Sequence, residues 1–229
     1  FYLGEQNEYV PSVTTILQAY PKDAHFFQWL KQVGNEADEI RDEAGRRGSV
    51  VHELTERYDA GEEINLMSNG GRIGYKLSEW SMFERYVEYR NQVSMDIIHS
   101  EFNLISPILG YAGTIDRVAT INILIDIKTS GQVYDHYWLQ LAAYKKLLSE
   151  HYGSTTIIDG VAILWLNSKT RTAGKKDQIQ GKGWQLIIRE PGMEANDMDL
   201  FECTRKLWLA QNGDMQPRLQ TYSLTHKIN

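Results

Sequence analysis

Cysteine is almost absent from this chain: Cys203 is the only one in 229 residues. A single thiol cannot build a disulfide framework, so stability has to come from a packed core, and a reducing cytoplasm is the expected compartment. Long apolar runs are missing as well, and none approaches the length that spans a bilayer. No secretory signal is visible, and the lack of a leading Met points to a trimmed start. There is no internal repeat and no low-complexity segment. Excess positive charge is also lacking: the net charge is -6 and the sequence pI about 5.6. Proteins that coat duplex DNA without sequence preference are usually basic, because phosphate neutralisation dominates their affinity, so an extended duplex footprint is disfavoured.

What is present is an ordinary globular composition, 42% hydrophobic and 24% charged, in a chain long enough for one sizeable core. The whole of 1–229 reads as one domain, with a helical part over 1–95, a sheet core over 96–190, and a helix and tail over 191–229. Residues 11–33 carry a helical pattern through Ile16, Leu17, Phe26, Phe27, Trp29 and Leu30, which Pro21 interrupts. Helices are predicted over 35–60, 74–95, 136–151 and 193–212, with Gly45 and Gly48 weakening the middle of the first. Strands are predicted over 97–105, 111–119, 122–129, 156–166 and 183–189. This order of helices, hairpin, helix and strand predicts an α/β fold with a helical portion at the N-terminal end. The tryptophans Trp29, Trp80 and Trp138 are expected in the core.

Two segments carry the chemistry. Gly113-Thr-Ile-Asp-Arg-Val118 and Ile123-Leu-Ile-Asp-Ile-Lys-Thr129 read as a β-hairpin. Asp116, Asp126 and Lys128 sit where Val or Ile would pack better, and burying charge is costly unless it is paired or binds metal. Side chains alternate faces along a strand, so Asp126 and Lys128 point one way and Ile123, Ile125 and Ile127 the other. If Thr120, Ile121 and Asn122 form a three-residue loop with Asn122 in the left-handed region, Asp116 falls opposite Asp126. Two facing carboxylates repel, and a hard divalent cation with oxygen ligands relieves that repulsion. The bland reading is a half-exposed hairpin with an ordinary Asp–Lys pair.

The G-x-x-D segment, the D-x-K strand, the downstream Gln140-Leu-Ala-Ala-Tyr144 and the upstream Arg47-Gly-Ser-Val-Val-His52 stand in one order. Together they resemble the PD-(D/E)XK nuclease superfamily and its RecB-like branch, closely over about 45–150 and in outline elsewhere. Ile115 stands where the variable proline of that family's motif would be. With one cysteine the chain cannot hold the four-thiolate iron–sulfur cluster of many RecB-like relatives, and Tyr20-Pro21-Lys22 stands near the place of a Cys-Pro ligand pair. The cluster-free exonucleases of the mitochondrial genome maintenance and phage type are the nearer comparison.

The resemblance implies a restriction-endonuclease-like core, a mixed sheet flanked by helices. It implies Mg or Mn held by His52, Asp116, Asp126 and the Ile127 carbonyl, with Lys128 positioning the attacking water. Gln140 and Tyr144, four apart on one helix face, would contact DNA. It also implies single-stranded DNA or DNA ends as substrate, a setting of recombination, repair or phage replication with proteins of those processes as partners, and a host-cytoplasmic location for a phage-encoded chain. A structure-specific or restriction-like endonuclease and a non-catalytic binding or assembly module remain alternatives. Glu101 lines the site in this reading or is a plain edge-strand charge. The segment from Lys169 to Lys182 gathers positive charge in an acidic chain. Lys175 and Lys176 are either a flap over single-stranded DNA or a solvated loop.

Overall fold

The computed structural model describes residues 1–4, 8–67, 71–153, 158–171, 179–213, 215 and 217, with the backbone alone along 169–171 and 179–182. Its centre is built from the β-branched runs. Strands β3 (Ile97–Ser106), β4 (Tyr111–Ala119), β5 (Ile123–Lys128), β6 (Gly160–Arg171) and β7 (Ile179–Ile188) follow a short N-terminal pair, β1 (Tyr2–Leu3) and β2 (Tyr9–Val10). The five form one sheet in sequence order, antiparallel except for the parallel pair β5 and β6. Helix α5 (His136–Tyr152) makes the crossover that a parallel pair requires. The result is the expected mixed α/β fold with helices on both faces of the sheet.

The two faces bury different sets of residues. Leu124 and Ile115 face α5, α6 (Met193–Asn212) and α1 (Val13–Ile16), where Leu139, Leu147 and Phe201 close one core. Ile125 and Ile127 face the other side, against Val51 of α3 (Ala37–Asp59) and Tyr86 of α4 (Leu77–Gln92). Each fully buried Ile or Leu contributes roughly 1.5–3 kcal/mol, so the central strands are fixed from both faces. Gly45 and Gly48 leave α3 unbroken, and its C-terminal half is held down by buried Val51 and Leu54. The Pro21 break is as expected: α1 and a 3-10 turn end at Ala19, and α2 (Ala24–Val33) starts anew behind its Asp23 cap.

The hairpin register follows the sequence reading. Arg117 pairs with Ile125 and Val118 with Leu124, and Asn122 takes φ 56 in the connecting loop. Beyond Arg117 the two strands part. The N-terminal segment enters that gap: the Ala112 N–H donates to the Pro11 carbonyl at 3.0 Å. The basic segment differs from its reading as a loop. Lys169 pairs with Lys182 and Arg171 with Ile179, so β6 and β7 run on into it. Backbone pairing needs no apolar side chains, and the polar composition concealed it. Lys175 and Lys176 lie outside the described residues. Among the described residues no helix is long and apolar enough to cross a membrane.

Candidate metal centre and active site

Where β4 and β5 part, the backbone of Ile127 keeps Leu164 of β6 as its ladder partner but has none on the β4 side. The Asp116 carboxylate fills that side: Oδ2 accepts the Ile127 N–H at 2.6 Å. The Ile127 carbonyl is met from the other side by His52 Nε2 of α3 at 3.1 Å. The backbone of one residue thus fixes both an aspartate and a histidine. A carbonyl only accepts, so Nε2 carries the proton in that bond, which leaves Nδ1 as the imidazole's ligand atom once deprotonated. Nδ1 stands 3.5 Å from Asp116 Oδ1 and 3.5 Å from Glu101 Oε1. Glu101 reaches this point from β3 with φ 47, a left-handed backbone that a non-glycine residue adopts only under strong local constraint.

His52, Glu101 and Asp116 therefore offer three ligand atoms within 4.8 Å of one another. Burial pulls the His52 imidazole down, but the carboxylates of Asp116 and Glu101 outweigh it and push it up to about 9. Burial likewise pushes the Glu101 carboxyl up, and His52 and Arg117 overturn that and hold it below its ordinary value. The donors are oxygen and imidazole, the set that suits Mg or, better, Mn.

Asp126 and Lys128 lie on the α5 side of β5, as their alternation requires. Lys128 Nζ forms an ion pair with the buried Asp126 Oδ2 at 2.7 Å. Burial pushes the Asp126 carboxyl up even against the attraction of Lys128. Asp126 is not one of the three clustered donors. Gln140 and Tyr144, read as facing substrate, are 7% and 4% exposed. Gln140 donates to Asp126 Oδ1 at 3.1 Å and to the Tyr144 hydroxyl at 3.0 Å, and accepts from Lys128 Nζ at 3.1 Å. The shared helix face places them against the site, but behind its charged residues. Tyr144 fits there because residue 113 is glycine: a Cβ at Gly113 would lie 2.3 Å from Tyr144 Cε1.

The sequence reading passed over the residues that hold this arrangement from the α3 side. Arg117 is 1% exposed. It donates to Asp59 Oδ2 at 2.7 Å, to the Asp116 carbonyl at 2.6 Å, to Thr55 Oγ1 at 3.0 Å and to Glu101 Oε1 at 3.3 Å. Tyr86 donates to the same Asp59 oxygen at 2.5 Å. A signal existed: an arginine directly after Asp116, inside an apolar strand, must find a buried anion on the opposite face.

No family model matches the chain, and neither does any curated protein sequence. Among solved structures it is similar to an alkaline exonuclease (LHK-Exo) from Laribacter hongkongensis, at 13% identity and TM-score 0.35, over 87% of this chain and 88% of that one. It is also similar to LHK-Exo in complex with dAMP, at 12% identity and TM-score 0.36, over 88% and 89%. At these values no residue role passes from those enzymes to this chain.

Proposed function

We propose that this chain is a metal-dependent DNA nuclease, an exonuclease acting on DNA ends or single strands. The carrying observation is the Ile127 backbone, whose N–H and C=O hold Asp116 and His52 in place beside Glu101 and one residue from Lys128. Three clustered donors fit a divalent cation. His52, Glu101 and Asp116 would hold Mg or Mn, with Asp126 next to them. Such a cation, when bound, lowers the pKa of a bound water and polarises a phosphoryl oxygen. The resemblance of the D…D-x-K set to the PD-(D/E)XK superfamily supports the same reading and implies 5′-phosphate products.

The chain's own groups divide the work. Lys128 is held charged: burial lowers it, and Asp126 and Asp116 more than restore it. Its ammonium orients the attacking water and offsets charge that develops on the phosphate. Gln140 fixes Lys128 and Asp126 relative to each other, and Tyr144 fixes Gln140. Arg117 holds Glu101 and the Asp116 backbone from behind.

Incubation of end-labelled single- and double-stranded DNA with Mg or Mn tests this. Mononucleotides or short products from linear strands are expected, and a closed circle should survive. Discrete cuts in the circle would make it an endonuclease. Binding without product under any divalent ion would make it a non-catalytic module.

A further inference from the structure

Helix α2 is rich in aromatic residues, yet none of its residues is buried. Phe27 is 53% exposed, and Trp29, read from sequence as core, is only partly covered. Beside this helix lie two adjoining cavities of about 650 and 450 Å³ that share Asp23, Phe26 and Tyr134. Trp29 and Arg41 line the first, and Tyr20, Lys22 and His136 line the second. The rings follow one another in contact, one pair stacked and two tilted. Phe26 and Trp29 are 5.9 Å apart and inclined by 35°; Tyr134 and His136 are 5.5 Å apart and inclined by 22°; Tyr20 stands 6.3 Å from His136.

One ring connects the groove's Tyr134 to Lys128 of the candidate site. Tyr137 packs edge-on to Tyr134 at 5.5 Å and carries Lys128 Nζ 4.5 Å over its own ring. The wall formed by 130–134 is pinned: the Ser130 carbonyl accepts from Trp165 Nε1 at 2.8 Å. Charge along the groove is nearly balanced, with Lys22 and Arg41 against Asp23 and Asp135. Asp23 is engaged in capping α2, where it accepts the Phe26 N–H at 2.8 Å. Burial, with Lys22 and Lys128 adding to it, pushes the His136 imidazole down to about 4, so at neutral pH the ring is an uncharged plane.

We infer that this groove is a stacking track for the bases of single-stranded nucleic acid, leading to Lys128. The inference rests on the nuclease reading and deepens it by naming the strand state. A ring-lined, charge-balanced groove offers little to a phosphodiester backbone and much to π faces. Duplex bases are paired and stacked on one another and cannot present those faces.

The test is binding of the full chain, in chelator so that no cleavage intervenes, to two fluorescent probes of equal charge. One is a thymidine oligonucleotide of about 20 nucleotides, the other an abasic strand of the same length; each stacked base is worth on the order of tenfold in affinity. The wild type should prefer the base-bearing strand by tenfold or more. Trp29→Ala with Tyr134→Ala should erase that preference, and Trp29→Phe with Tyr134→Phe should keep most of it, with circular dichroism confirming the fold of each. Equal affinity of the wild type for both probes, no binding to either, or a preference that survives the double alanine variant overturns the track. So does a wild-type dimer that the alanine variant splits in sedimentation, since the groove would then be an interface between copies. Base-dependent binding without cleavage in Mg or Mn would leave the track standing and remove the nuclease reading; cleavage without base preference would do the reverse.

Discussion

Lys128 has two duties, and each has a measurable consequence. It neutralises Asp126, which is 1% exposed, and it supplies the cation of the proposed reaction. Lys128→Ala leaves a buried carboxylate without its counter-charge, so metal-free stability should fall by about 3 kcal/mol. Turnover at saturating DNA should fall by roughly two to three orders of magnitude, the loss expected when a charge aimed at the transition state is removed. A folded Lys128→Ala protein with unchanged turnover would take the lysine out of the mechanism. Arg117 sits behind the site and is more purely structural. Its guanidinium joins Asp59, Thr55 and Glu101, so Arg117→Ala should cost about 3–5 kcal/mol in denaturant unfolding. Arg117→Lys keeps the charge but loses the fork, and its loss should be smaller yet clear. A change in Arg117→Ala below about 0.5 kcal/mol would show that the buried network does not bear on stability.

At the scale of elements, β4 and α5 meet where a glycine lets a ring lie on a strand. Gly113→Ala forces its methyl against Tyr144, and overpacking of this kind costs about 1–3 kcal/mol. In a Tyr144→Ala background the clash is gone, so a double-mutant cycle should return a coupling of about 1 kcal/mol or more. Additive effects would mean that the strand, not the ring, rejects the methyl. The start of α5 carries a pH signature. His136 is lowered from 6.5 to about 4 by burial, then by Lys22 and Lys128. The unfolded chain takes up this proton as pH falls through 6.5, the folded protein only near 4. Between those values the unfolded state binds more protons, so stability should drop as pH falls across that window and level off below it. His136→Asn should flatten this part of the stability profile; an identical slope would show that the imidazole is solvated.

For the whole molecule, a net charge of -6 with carboxylates gathered at one point leads us to predict that the fold responds to cations. A metal that binds only the folded state stabilises it by about 2.7 kcal/mol at a hundred times its dissociation constant. Mn should therefore raise the thermal midpoint. Glu101→Gln should blunt that rise as fully as Asp116→Asn, because both carboxylates face His52 Nδ1. An undiminished Mn response in Glu101→Gln would return Glu101 to the role of an edge charge.

Local pattern was enough for most elements, since periodicity and breakers act over neighbouring residues. Helix α6 spans 193–212 as the apolar spacing implies, and the Asn122 loop sets the hairpin register. That register depends on loop length and strand alternation alone, so the pairing of Arg117 with Ile125 was legible, but the strands part before Asp116, whose carboxylate meets the Ile127 N–H instead. The extension of β6 and β7 into the basic segment was not, because ladder bonds leave no mark on side-chain polarity.

Long-range contact decided the rest. Glu101 could be an edge charge or a site residue until β3 paired with β4 and brought it to His52. Gln140 and Tyr144 share a face in any helix, but whether that face meets substrate or Asp126 depends on how deeply α5 sits on the sheet. Trp29 fits a core pattern in sequence, and its exposure follows from the place of α2 outside both cores. By itself the sequence determined which segments form strands and helices and which charges sit among apolar residues, because those are local and compositional properties. Only the tertiary structure decided which buried charge answers which, since the partners of Ile127, Asp116 and Arg117 come from elements far apart in the chain.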